Sequence, residues 1–177
     1  MNTVRSQTAL PRISDGSMGF LRKFGHLIKG AGNALVLGEI AVAQNLQDMG
    51  LSVDVFNARD MTPFRLMADV EAQTVPPRSQ HYDLVLVVFP EFENAAHRQL
   101  VMRSLSGYVR EGGVLLIHGL STRHHGAGVD GFSTGELTSC LALFDVLDAA
   151  DYDDVFGPAQ HSGAPYAVVD FVGRKMS

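Results

Sequence analysis

The stretch from Asn33 to Asn57, NALVLGEIAVAQNLQDMGLSVDVFN, leaves few folds open to this chain. Ala34–Leu37 is a short, wholly apolar run of the kind that forms a buried parallel strand. Gly38 breaks it. From Ile40 the apolar period changes, and Val42, Ala43, Leu46 and Met49 fall on one face of a helix. Gly50 stands where a helix C-terminal glycine belongs, and Ser52–Phe56 resumes as a strand. Strand, tight turn, helix, strand is a βαβ unit with a right-handed crossover. Ligands of such units sit at the carboxyl ends of the strands, against the first turn. Function therefore turns on what Gly38, Glu39 and Asn57 can hold.

Two later runs repeat the pattern. Leu84–Phe89 is the most hydrophobic stretch and reads as a central strand ended by Pro90. Residues 93–110 read as a helix, the Glu111-Gly112-Gly113 turn follows, and Val114–Ile117 is another buried strand. Ser133-Thr134-Gly135-Glu136 matches a capping box ahead of a helix through Leu137, Leu141 and Phe144. Val146-Leu147 begins a strand. Asp148 to Ala164 reads as an acidic connection, and Tyr166–Val172 as a last strand, antiparallel at or near an edge. Phe64–Ala68 fits a short strand, with little room for a helix before it. The whole is a doubly wound α/β sheet, mostly parallel, ending in an antiparallel pair.

A chain of 177 residues with 46% hydrophobic and 19% charged residues can bury one sizeable core. Its net charge of −5 argues against a nucleic-acid partner. The single cysteine, Cys140, excludes an internal disulfide and reads as a small core residue, in keeping with a cytoplasmic protein. No apolar run reaches transmembrane length. Residues 1–17 read as a polar N-terminal arm and residues 18–177 as one domain. Between Met18 and Lys29, Phe20, Leu21, Phe24, Leu27 and Ile28 form an apolar helical stripe. The simpler reading packs this helix on the edge of the sheet. A second reading makes the Met1–Lys29 segment the contact to a protein partner or a second copy.

At this point the residues resemble a known family, the class I S-adenosylmethionine-dependent methyltransferases, and within it the small tellurite-resistance type. The likeness runs from about Gly25 to Lys175. It is carried by Tyr82-Asp-Leu-Val85, by Val109-Arg-Glu-Gly-Gly-Val-Leu-Leu116, by Phe132-Ser-Thr-Gly-Glu-Leu137, by Phe144-Asp-Val-Leu147, and by the order of Gly157, His161, Gly163 and Arg174-Lys175. It implies a Rossmann-like domain with the cofactor at the ends of the first strands. There the chain departs from the pattern. The family's first turn is glycine-rich, whereas Leu37-Gly38-Glu39-Ile40-Ala41-Val42 has one glycine and is short. Asn57 stands where an acidic residue grips both ribose hydroxyls, and an amide cannot present two charged oxygens. Asp69 matches the acidic position that meets adenine.

The resemblance thus implies a degenerate cofactor site at Gly38, Glu39, Asn57 and Asp69. Glu39 reads better as a first-turn helix carboxylate than as a ligand. Asn57 fits a ribose contact and a strand-end turn equally. Glu91 and His118 are candidate general bases at the ends of their strands, and His161 falls within the family pattern. His124, His125 and His161, even with Asp151, Asp153 or Asp154, lack metal-ligand spacing, so no metal is expected. Two functions follow: a binding or scaffolding subunit that has lost S-adenosylmethionine, or a working small-molecule methyltransferase with an atypical glycine loop. A glutamine-amidotransferase-like or flavodoxin-like domain fits the strands but lacks a nucleophilic cysteine after Leu84–Phe89.

Overall fold

The computed structural model describes residues 15–61, 81–154 and 165–177. The elements in chain order are α1 (Asp15–Lys23), α2 (Gly25–Ile28), β1 (Asn33–Gly38), α3 (Ile40–Asp48), β2 (Ser52–Phe56), β3 (Tyr82–Val88), α4 (Ala95–Leu105), β4 (Val109–Leu120), α5 (Thr134–Cys140), β5 (Phe144–Asp154) and β6 (Tyr166–Lys175). One six-stranded sheet runs in the order β2-β1-β3-β4-β6-β5. β2, β1, β3 and β4 are parallel, while β6 is antiparallel to both β4 and β5. The four expected parallel strands and the closing antiparallel pair are all present.

The strands carry two cores because their central residues are apolar on both faces. On one face Ala34, Val36, Leu84, Leu86, Leu116 and Val172 pack against α1, α2 and α3. On the other, Leu35, Leu37, Val85, Val87, Ile117 and Phe171 pack against α4 and α5. The N-terminal stripe belongs to the first core: Phe20, Leu21, Phe24 and Ile28 are buried. It lies on the face of the sheet rather than along its edge. α1 also includes Asp15–Ser17, which the sequence reading assigns to the arm.

Other departures have local causes. The expected helix from Met18 to Lys29 is two helices, because Phe24 sits at φ −105°, ψ 15° between them. The helix expected over 93–110 is confined to Ala95–Leu105, where Asn94 caps its start by accepting from the His97 N–H at 2.8 Å. The acidic connection expected from Asp148 is strand as far as Asp154, paired with β6 from Phe144↔Lys175 to Asp154↔Tyr166. Its five aspartates are tolerated because β5 is the outer strand, and charge there also discourages edge-to-edge pairing. Half of the capping box forms: Ser133 Oγ accepts from the Glu136 N–H at 3.1 Å, but the Glu136 carboxylate turns to Arg98 at 3.0 Å. The expected strand Phe64–Ala68, Asp69 and His161 lie outside the described residues. Among the described residues no helix is long and apolar enough to cross a membrane.

Candidate functional site

The carboxyl ends of β1, β2, β3 and β4 gather most of the residues singled out by sequence. At β1, Gly38 has φ +108°, and a Cβ there would lie 1.9 Å from the Val88 carbonyl oxygen of β3. Only glycine permits this approach of backbone to backbone. The next N–H, that of Glu39, donates to the same Val88 oxygen at 2.9 Å. α3 then starts at Ile40, so the turn between β1 and α3 is one residue long. Glu39 Oε2 accepts from Ser17 Oγ of α1 at 2.6 Å. Ile40 is 63% exposed and Val42 lies in the helix–sheet core, so neither side chain fills space in front of the turn.

At β2, Asn57 Oδ1 accepts from the Arg59 N–H at 3.0 Å and caps the short 3-10 turn Ala58–Asp60. Ala58 and Met61 are buried beside Phe92, which follows β3. His97 of α4 fastens these loops together. Its Nδ1 accepts from the Glu93 N–H at 3.2 Å, and its Nε2 donates to the Met61 carbonyl at 3.1 Å. Glu91 is exposed and meets Arg59 at 3.5 Å. β1 lies between β2 and β3, so both contacts join the two loops that flank its carboxyl end. Sequence reasoning missed His97. The signal was available in Asn94-Ala95-Ala96-His97, a cap residue with a ring-bearing residue at the third helical position.

At β4 the setting changes. His118 is fully buried, and its Nδ1 lies 2.7 Å from Oδ1 of Asp170 on β6, which is also fully buried. Asp170 Oδ2 accepts from the Tyr152 hydroxyl of β5 at 3.0 Å, and Lys23 Nζ of α1 stands 3.6 Å away. Burial, and then the Asp170 carboxylate beside it, push the Tyr152 hydroxyl well above the usual phenol range. The Phe20 ring stacks on the imidazole at 4.8 Å, and the Phe89 ring meets it edge-on at 4.9 Å. His118 Nε2 is buried without a hydrogen-bond partner. Glu91 and His118 are thus not brought together as a catalytic pair: one is a surface ion pair, the other belongs to a buried network. Asp170 and Tyr152 were not singled out by sequence, because nothing local links residues 52 and 34 positions from His118.

The histidine-rich loop after β4 is structural in its contacts. His124 stacks on Tyr166 at 4.9 Å. Arg123 binds Asp151 at 2.6 Å and Asp153 at 3.3 Å, and its hydrogen bond holds the Asp151 carboxyl below the usual range. Among the described residues no group of three or more His, Cys, Asp or Glu side chains is placed to hold a metal ion. Cys140 packs half-buried against the core.

No protein-family model matches the sequence, and no curated protein does. Solved structures match over nearly the whole chain. TehB from Haemophilus influenzae superposes with a TM-score of 0.65 at 14% identity, over 97% of this chain and 64% of its own. N-methyltransferase NodS from Bradyrhizobium japonicum WM9, in complex with S-adenosyl-L-homocysteine, gives 0.58 at 11% identity, over 89% and 84%. The chain has the class I methyltransferase fold. The 1,6-didemethyltoxoflavin-N1-methyltransferase of Burkholderia thailandensis, with its substrate and S-adenosylhomocysteine bound, gives 0.54 at 16% identity, over 90% and 77%. At such identities the likeness is one of fold, and this chain spans just under two thirds of the length of TehB. Within that methyltransferase fold, Gly38, Glu39 and Asn57 lie at the ends of β1 and β2, and His118 at the end of β4.

Proposed function

We propose that this chain is a methyltransferase-fold subunit that no longer takes up S-adenosylmethionine and serves as a binding or scaffolding component of an assembly. The observation that carries this reading is the one-residue turn at Glu39. A cofactor between β1 and β3 needs backbone that loops away from the strand ends and presents free N–H and C=O groups. Here the Glu39 N–H is already given to Val88, and α3 begins at once. The side chains that would grip the ligand are committed as well: Glu39 to Ser17, Asn57 to Arg59. The residues at these strand ends do not fit an adenosylmethionine.

The test is calorimetric titration of the full chain with S-adenosylmethionine and S-adenosylhomocysteine. No heat of binding is expected for either. Micromolar affinity for one of them overturns the reading and promotes a small-molecule methyltransferase with an unusual first turn. The assembly half of the proposal is tested by light scattering. A single-chain mass that stays unchanged on dilution from high concentration removes self-association. Phe20, Leu21, Phe24 and Ile28 are spent on the chain's own sheet, so a contact through the N-terminal segment must use other residues of it.

A further inference from the structure

β5 is the outer strand of the sheet, and its free edge is long. It runs for 11 residues, where about 5–6 is usual, and holds neither proline nor lysine to blunt it. Its backbone pairs with β6 from Phe144 to Asp154, and past the register shift between Val146 and Asp148 the pairing is unbroken. Among the described residues no backbone hydrogen bond reaches residues 145–154 from any element but β6. Such an edge offers a row of N–H and C=O groups to a further strand.

The side chains decide which strand it can take. Asp148 and Asp154 fall on one face of β5, Asp151 and Asp153 on the other. Lys23 pairs with Asp148 at 3.1 Å, and Arg123 pairs with Asp151 and Asp153. A second copy of β5 would set carboxylate against carboxylate, which is destabilising, whereas a strand with cations and no acids is favoured. This chain contains such a segment in the right place. Residues 1–14 hold Arg5 and Arg12 and no Asp or Glu. They lead into α1, where Asp15 and Gly16 line one cavity with Tyr152 and Asp154 at the carboxyl end of β5. Extended, they span about 46 Å, against roughly 36 Å for the 11 residues of β5, so they can follow the strand to its start. Pro11 has no N–H to give, which an outer strand tolerates. We propose that the outer edge of β5 is a docking surface for an extended cationic strand, and that its occupant is residues 1–14 of the same chain, laid parallel to β5 as a seventh strand. The docking stands whether or not adenosylmethionine binds at β1.

The test is amide hydrogen exchange, read by NMR on the full chain along residues 148–154. In an outer strand alternate amides face away from the sheet and exchange freely, and an added strand protects those as well. In the wild type every amide of this run should be protected. In the double variant Arg5→Glu/Arg12→Glu the outward amides should exchange about tenfold faster, the worth of one net hydrogen bond, while the amides of β6 keep their wild-type rates. Light scattering should give both proteins the mass of a single chain. Freely exchanging outward amides in the wild type overturn the proposal, whatever the variant does. So does equal protection in the variant, which would mean that the edge is covered without the two arginines. Protection that appears only with a doubled mass places residues 1–14 on a second copy and overturns the assignment to the same chain.

Discussion

The two halves of the sheet's carboxyl end use polar groups in opposite ways. Around β1 and β2 the polar groups meet partners of their own chain: the Glu39 N–H meets Val88, the Glu39 carboxylate Ser17, the Asn57 amide Arg59, and His97 bonds through both nitrogens. Around β4 and β6 a more deeply buried imidazole is oriented by Asp170, and its Nε2 has no hydrogen-bond partner. The first half is satisfied like a finished core, whereas the second leaves one buried ring nitrogen without a partner. The contrast teaches that strand ends can be tied off by local hydrogen bonds at one place while an unsatisfied polar atom is buried a few strands away. Tying off these strand ends takes only a short turn and a few local hydrogen bonds. A buried histidine–aspartate pair costs desolvation and is retained only with some compensation.

The strongest way to break this comparison is at Gly38. A side chain there meets the Val88 carbonyl at 1.9 Å, and the φ of +108° disfavours any L residue. Gly38→Val should cost about 4 kcal/mol or more, a large share of the roughly 5–15 kcal/mol that holds an ordinary domain folded. Urea denaturation of the full chain measures it. Were the variant to retain wild-type stability, the contact between β1 and β3 would be loose.

Next in size is Asp170→Ala. It removes the acceptor from His118 and Tyr152 inside the sheet and leaves a void where the carboxylate stood. The loss of two buried hydrogen bonds predicts roughly 3 kcal/mol of destabilisation. The matching change in the other half, His97→Ala, unpairs the Met61 carbonyl and the Glu93 N–H at a more exposed place, so roughly 2 kcal/mol is expected there. The same urea curves rank the two. A larger loss at His97 than at Asp170 would reverse the contrast drawn between the halves.

The central strands were legible in the sequence because Ala34–Leu37, Leu84–Val88 and Val114–Ile117 are unbroken apolar runs bounded by glycine, proline or charge. β5 was legible only at its start. Its five aspartates read as solvated loop, and nothing local says that an outer strand can carry them. Gly38, Glu39 and Asn57 were found by position, yet their partners Val88, Ser17 and Arg59 follow from packing and turn geometry. The His118–Asp170 pair was out of reach for a different reason. It depends on the antiparallel register of β4 and β6, which a one-residue slip would have sent to the opposite face.

The smallest expected effect lies at the amino end of the sheet, where a change should leave both halves of the carboxyl end untouched. Asp83 accepts from the Gly32 N–H at 2.7 Å and from the Asn33 N–H at 3.3 Å, and it pairs with Arg110. The Gly32 hydrogen bond first, and Arg110 after it, hold the Asp83 carboxyl below its usual range. A carboxyl depressed in the folded state stabilises that state fully above its unfolded pKa of about 3.9, and the contribution is lost as pH falls through the lower folded value. Asp83→Asn should therefore cost at most about 1 kcal/mol at neutral pH, since Arg110 is half exposed and solvent screens the pair. The gap between the wild type and Asp83→Asn should shrink as the pH is taken below about 4, read as the difference in urea midpoints at pH 7 and pH 3. A gap that stays constant would mean that the Asp83 hydrogen bonds work by geometry alone, without a contribution from its charge.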